Sequence, residues 1–119
     1  MPNGAKRLPV EFFRTEFGHE PMRDWLKSDL FSKEDRRRIG GDIKTVERGW
    51  PIGMPTCRSI GRGLWEVRTN LPTRIVRVLF FIADGRMVLV HGFVKKSRAT
   101  PRADVELAMA RKRQWESGR

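Results

Sequence analysis

Three runs decide the fold class: Gly63-Leu64-Trp65-Glu66-Val67-Arg68, then Arg74-Ile75-Val76-Arg77-Val78-Leu79-Phe80-Phe81-Ile82, then Met87-Val88-Leu89-Val90-His91-Gly92-Phe93-Val94-Lys95-Lys96. All three are dense in Val, Ile, Leu and Phe, which suit a pleated, half-buried surface, and turn residues separate them. Asn70-Leu71-Pro72 breaks the first gap and Asp84-Gly85 the second. Asp-Gly between apolar runs favours a tight hairpin, because both residues tolerate positive φ. The second and third runs are therefore expected as antiparallel neighbours, with the first beside the second.

Working outward, the charges inside these strands come next. Side chains alternate faces along a strand. Glu66 and Arg68 thus share one face and Trp65 and Val67 the other; Arg77 lies with Ile75 and Leu79, and His91 with Phe93 and Lys95. A charge within an apolar strand is costly unless it meets water or a partner. Several of them on three adjacent strands point to a polar groove on the sheet, with an ordinary solvated face as the competing reading.

At 119 residues the chain suffices for one domain with a modest core, and 39% hydrophobic against 33% charged residues describes a folded chain with a heavily charged surface. The net charge is +11, and residues 58–98 hold nine Lys or Arg against two acids. The excess is concentrated in the strand region, where a polyanion is the natural partner. The lone Cys57 excludes an internal disulfide, fits a reducing cytoplasm and is expected as a buried thiol. Two His and one Cys, far apart, lack the spacing of a zinc site, so neither metal nor cofactor is expected. No apolar run reaches membrane-spanning length, and Met1 to Arg7 lacks the apolar core of a signal peptide, so a cytoplasmic chain without membrane partners is expected.

Before the strands, Leu8 to Phe13 reads as a short edge strand, where Pro9 is tolerated. A first helix is predicted over Glu20 to Leu30, with Trp25, Leu26 and Leu30 in the core. Ser32 and Asp35 form a capping-box variant that opens a second helix, Lys33 to about Arg48. Ile39, Ile43 and Val46 fall on one face of it. Gly40-Gly41 weakens that helix by roughly 1 kcal/mol per glycine, which a close packing contact would explain. Pro51 to Gly63 reads as a Gly- and Pro-rich loop carrying Arg58 and Arg62. Thr100-Pro101 reads as an N-cap and first position of a last helix running to about Trp115, with Val105, Ala108 and Met109 as its apolar stripe. Segregated strands and helices argue for an α+β fold: an antiparallel sheet of about four strands, an N-terminal helical hairpin and a C-terminal helix.

The chain resembles the RelE/ParE superfamily of toxins from type II toxin–antitoxin modules, most closely the HigB-like, phage-derived branch. Gly63 to Arg68, Arg77-Val78-Leu79-Phe80-Phe81 and His91 to Ser97, continuing through Thr100-Pro101 to Ala108-Met109-Ala110-Arg111, carry the resemblance. It implies a RelE-like, microbial-RNase-type fold and ribosome-dependent, metal-independent cleavage of mRNA. It also implies neutralisation by a cognate antitoxin, a helix-turn-helix or acidic protein. ParE-branch relatives instead inhibit DNA gyrase, and a non-enzymatic nucleic-acid-binding regulator is a further alternative. By the resemblance, Arg77 matches the middle-strand Arg that contacts the scissile phosphate. Arg68 matches a basic residue on the preceding strand, and Lys95 and Lys96 a basic pair ending the last strand. RelE uses a C-terminal Tyr, and this chain has none.

Metal-free RNA cleavage needs a base for the 2′-OH, cations for the phosphorane-like transition state and an acid for the 5′-oxygen. Arg68, Arg77, Lys95 and Lys96 are the candidate cations, and Glu66 or His91 the candidate base. Arg58, Arg62, Arg74 and Arg98 are further candidates for contacting nucleic acid. Arg77 is expected to grip phosphate through its two-pronged guanidinium and to matter little for stability; a buried ion pair with Glu66 is the alternative.

Overall fold

The computed structural model describes residues 8–95 and 99–118. Its elements in chain order are β1 (Val10–Phe12), α1 (Pro21–Lys27), α2 (Lys33–Gly49), β2 (Cys57–Gly61), β3 (Leu64–Asn70), β4 (Ile75–Ala83), β5 (Arg86–Val94) and α3 (Arg102–Ser117). Asp84 and Gly85 close the β4–β5 hairpin with φ of 52° and 70°, as the Asp-Gly pair demands. The strands lie in the order β1-β5-β4-β3-β2.

The architecture is α+β, but two expectations for the sheet are corrected. It has five strands, since Cys57–Gly61 pairs antiparallel with β3 inside the segment expected to be loop. It is also mixed, because β1 runs parallel to β5, pairing Val10 with Met87 and Phe12 with Leu89. Pro9 is tolerated at this edge: its carbonyl accepts from the Met87 amide at 2.8 Å, and its missing N–H is not needed.

Helices cover both faces. On one, Met22 of α1 and Ile39, Ile43 and Val46 of α2 bury against Val67, Val76, Val78, Phe80, Met87 and Leu89. There α1 lies on β5 and α2 on β3, so each helix makes its main contacts with the sheet and not, as a hairpin would, with the other. On the opposite face Ala108 is buried against Leu64, Leu79, Phe81, Val88 and Val90, with Val105 and Met109 half-buried beside it. Pairing shifts in β5, where Leu79 faces His91 but Phe80 faces Leu89. The Val90 carbonyl there accepts from Arg111 of α3 at 2.7 Å.

The helix boundaries follow local hydrogen bonds. α1 stops at Lys27, short of the predicted end, because the Ser28 amide and hydroxyl both donate to the Trp25 carbonyl. Leu30, expected in the core, is therefore exposed. The capping box of α2 is complete: the Asp35 amide donates to Ser32 Oγ and the Ser32 amide to Asp35 Oδ2, each at 3.0 Å. No packing contact accounts for Gly40-Gly41, since a Cβ on either would meet nothing within 4 Å. The close approach falls instead at Gly92, where a Cβ would lie 2.8 Å or less from three ring carbons of Trp25. Pro101, not Thr100, is the N-cap of α3. No helix among the described residues is long and apolar enough to cross a membrane.

Candidate functional site

Strand pairing assembles the charged side chains. Arg58 of β2 pairs with Glu66 of β3, and Arg68 of β3 with Arg77 of β4. These four share the face that α3 covers only in part, because its apolar contacts lie toward Leu64, Leu79 and Phe81. The uncovered end is a pocket of about 210 Å³, lined by Met54, Pro55, Thr56, Cys57, Arg58, Glu66, Arg68, Arg77 and Lys95. Four cations thus surround one carboxylate.

Glu66 is the hub. It is 1% exposed, and its Oε1 accepts from Arg58 Nε at 2.8 Å and from Arg77 Nη1. Its Oε2 accepts from the Thr100 hydroxyl at 3.0 Å. Arg77 is itself 4% exposed, so the alternative of a buried ion pair with Glu66 is the one found. The pair does not exhaust the arginines. The Nε atoms of Arg68 and Arg77 are buried and have no hydrogen-bond partner among the described residues. An unmade hydrogen bond of a buried donor costs about 1–3 kcal/mol, so an anion entering the pocket finds donors already stripped of water.

Two further groups have tuned acidity. Burial, then the positive charges of Arg77, Arg68 and Arg58, lower the pKa of the Lys95 ammonium below its usual 10.5, against an opposing pull from Glu66. Burial, then the Glu66 charge, push the Cys57 thiol up to about 11, so it stays a thiol near neutrality and is a poor nucleophile.

Residues 24–113 match the family described as phage-derived protein Gp49-like (DUF891). The chain belongs to that family. The match begins within α1, ends within α3 and takes in every residue that lines the pocket. The Gp49-like family is associated with RelE-like toxins of toxin–antitoxin modules. A comparison with curated proteins finds no match.

The Gp49-like fold brings only some of the candidate residues together. Arg58, Glu66, Arg68, Arg77 and Lys95 meet in the pocket. His91 does not line it; its Nε2 lies 2.5 Å from Asp104 Oδ1 of α3, and its ring stacks on Phe93. Arg74 turns toward the helices, donating to the Leu30 carbonyl at 2.5 Å and to Asp35 at 3.1 Å, with its guanidinium over the Phe31 ring. Arg62 occupies the exposed β2–β3 turn at φ 59° and does not line the pocket. Lys96 and Arg98 lie outside the described residues. The residue that sequence reasoning missed is Thr100, whose hydroxyl holds Glu66; the Thr-Pro pair signalled a cap and hid this tertiary role. Among the described residues, no group of three or more His, Cys, Asp or Glu is arranged to hold a metal ion.

Proposed function

We propose that this Gp49-like protein is the toxin of a type II toxin–antitoxin module, of the HigB-like branch with a RelE-like fold, and that it acts as an endoribonuclease on mRNA at the ribosome. The observation that carries this reading is the pair of buried Nε donors of Arg68 and Arg77, without a hydrogen-bond partner among the described residues, in a pocket of four cations. A phosphodiester supplies the acceptor oxygens those donors lack, and negative charge grows on those oxygens as the phosphorane-like transition state forms. Substrate-assisted cleavage fits: the 2′-oxygen bonds to phosphorus, the bond to the 5′-oxygen breaks, and a cyclic phosphate and a 5′-hydroxyl result.

Glu66 serves this reaction as the anchor of Arg58 and Arg77, since both of its oxygens already accept hydrogen bonds. Lys95 is the pocket group suited to move the proton. As a neutral amine it takes the proton of the 2′-OH, and as the resulting ammonium it delivers that proton to the 5′-oxygen; its lowered pKa enlarges the neutral fraction. The cognate antitoxin, a helix-turn-helix or acidic protein, meets a strongly basic partner.

Induced expression with primer-extension mapping of translated mRNA tests this, with a gyrase supercoiling assay run in parallel. The expected result is new 5′ ends within reading frames and unimpaired supercoiling. Intact mRNA with blocked supercoiling would replace the endoribonuclease by a ParE-like gyrase inhibitor.

A further inference from the structure

The cationic pocket does not stand alone. It shares Pro55, Thr56 and Arg68 with a wider polar cleft of about 560 Å³ between α2 and the end of β3. We infer that this cleft holds and reads the base of a single-stranded RNA nucleotide next to the phosphate bound in the cationic pocket. The inference rests on the endoribonuclease reading above and adds a specificity site to it.

Three observations carry it. The first is continuity through Arg68, which lines both hollows and keeps a buried, unpartnered Nε among the described residues. It stands where a phosphate and the next nucleotide of the same strand would join. The narrower hollow, at about 210 Å³, falls below the usual range for small-molecule pockets and suits a phosphate, whereas about 560 Å³ lies within that range.

The second is the lining. Asp42 of α2 and Asn70 of β3 face the cleft, and neither is engaged by another side chain among the described residues. A carboxylate accepts hydrogen bonds, and a side-chain amide both donates and accepts. These are the groups that read Watson–Crick edges, which single-stranded RNA exposes and a duplex hides. A purely electrostatic RNA surface has no use for an acid beside its cations.

The third is Gly41. It also lines the cleft, and a Cβ built on it meets nothing within 4 Å. A glycine in a helix interior costs about 1 kcal/mol relative to alanine, and here packing does not explain it. A bare stretch of helix in the wall of a cleft does, because it leaves room for a flat ring to lie against the helix backbone.

The test uses short single-stranded RNAs that carry 2′-O-methyl groups, so that they bind without being cut, with fluorescence anisotropy as the readout and each base varied in turn. Cleavage-site mapping on unmodified, translated mRNA runs beside it. The wild-type chain is expected to favour particular bases at one position adjoining the cut. Gly41→Phe, which fills the cleft, is expected to weaken binding on the order of tenfold or more, the worth of at least one lost contact. Asp42→Asn, which replaces an acceptor by a donor, is expected to change which base is preferred, an effect that mere loss of stability does not produce. A wild-type chain that cuts RNA, with both variants keeping its affinity and base profile, overturns the subsite and leaves the endoribonuclease standing. Should Gly41→Phe fail to fold, an unchanged base preference in Asp42→Asn alone overturns it. A wild-type chain that neither binds these RNAs nor cuts translated mRNA overturns both readings.

Discussion

Arg77 answers to two partners, and that sets what its loss should do. It is paired with the buried Glu66, while its Nε has no partner among the described residues. The sequence alone suggested that its removal would barely affect stability; the ion pair reverses that expectation. Arg77→Ala strands part of a buried carboxylate, which Arg58 and Thr100 still hold, so the loss belongs at the low end of the range for broken buried pairs, about 3 kcal/mol. Thermal melts check this. On the folded fraction, single-turnover cleavage should fall roughly a hundredfold, and Arg77→Lys should restore only part of it, because an ammonium keeps the charge without the fork. A large stability loss with unaltered cleavage per folded molecule would reduce Arg77 to a structural residue. Lys95 makes a different prediction. If its neutral amine takes the 2′-OH proton, the cleavage rate climbs with pH and levels off once pH passes its lowered pKa, short of the usual 10.5. Lys95→Arg stays charged throughout, and should lose on the order of a hundredfold or more in rate together with that pH dependence. Retained cleavage in this variant would remove Lys95 from the proton transfer.

Among the elements, β5 and α2 hold glycines of opposite meaning. Gly92→Ala drives a methyl into the Trp25 ring and should cost about 1–3 kcal/mol as α1 is pushed off the sheet. Gly40→Ala meets open space and should stabilise α2 by up to about 1 kcal/mol. Denaturant melts of the two variants check both signs, and a neutral Gly92→Ala would mean that α1 yields freely. From sequence the close contact is expected at Gly40-Gly41 and nothing marks Gly92, because pattern shows where glycine is costly and not what lies opposite it. Legibility elsewhere followed the same division. β3, β4 and β5 were plain because their apolar runs and the Asp84-Gly85 turn are local signals, and α2 because Ser32, Asp35 and the Ile39-Ile43-Val46 stripe are. β2 was hidden: Cys57 and Ile60 are too few apolar residues to mark a strand, and backbone pairing with β3 makes it one. The parallel docking of β1 was hidden too, as its partner lies far along the chain. Within the site, face alternation put Glu66 with Arg68, but the register that sets Arg77 beside them needed the strand pairing. That His91 and Arg74 lie apart from the pocket was not legible, because the acids that hold them, Asp104 and Asp35, come from helices distant in sequence.

At the scale of the whole molecule, charge governs encounter. A net +11, with the pocket cations on one face, should make RNA affinity fall steadily with salt. If two or three phosphates are engaged, the slope of log affinity against log salt is on the order of −2 for a single strand. Anisotropy titrations from low to high salt measure it, and a flat response would remove the electrostatic part of the proposal. The edge pairing of β1 with β5 has a consequence in time. The first strand to be synthesised docks on the last, so that pairing does not exist while the chain is half made. The Thr100 hydroxyl that steadies Glu66 arrives later still. Domains fold as units once their sequence is available, and distant pairings form late. The cation-lined pocket is therefore complete only after Thr100 has been made, so on the proposed reading a nascent chain that has just finished its sheet does not yet cleave RNA.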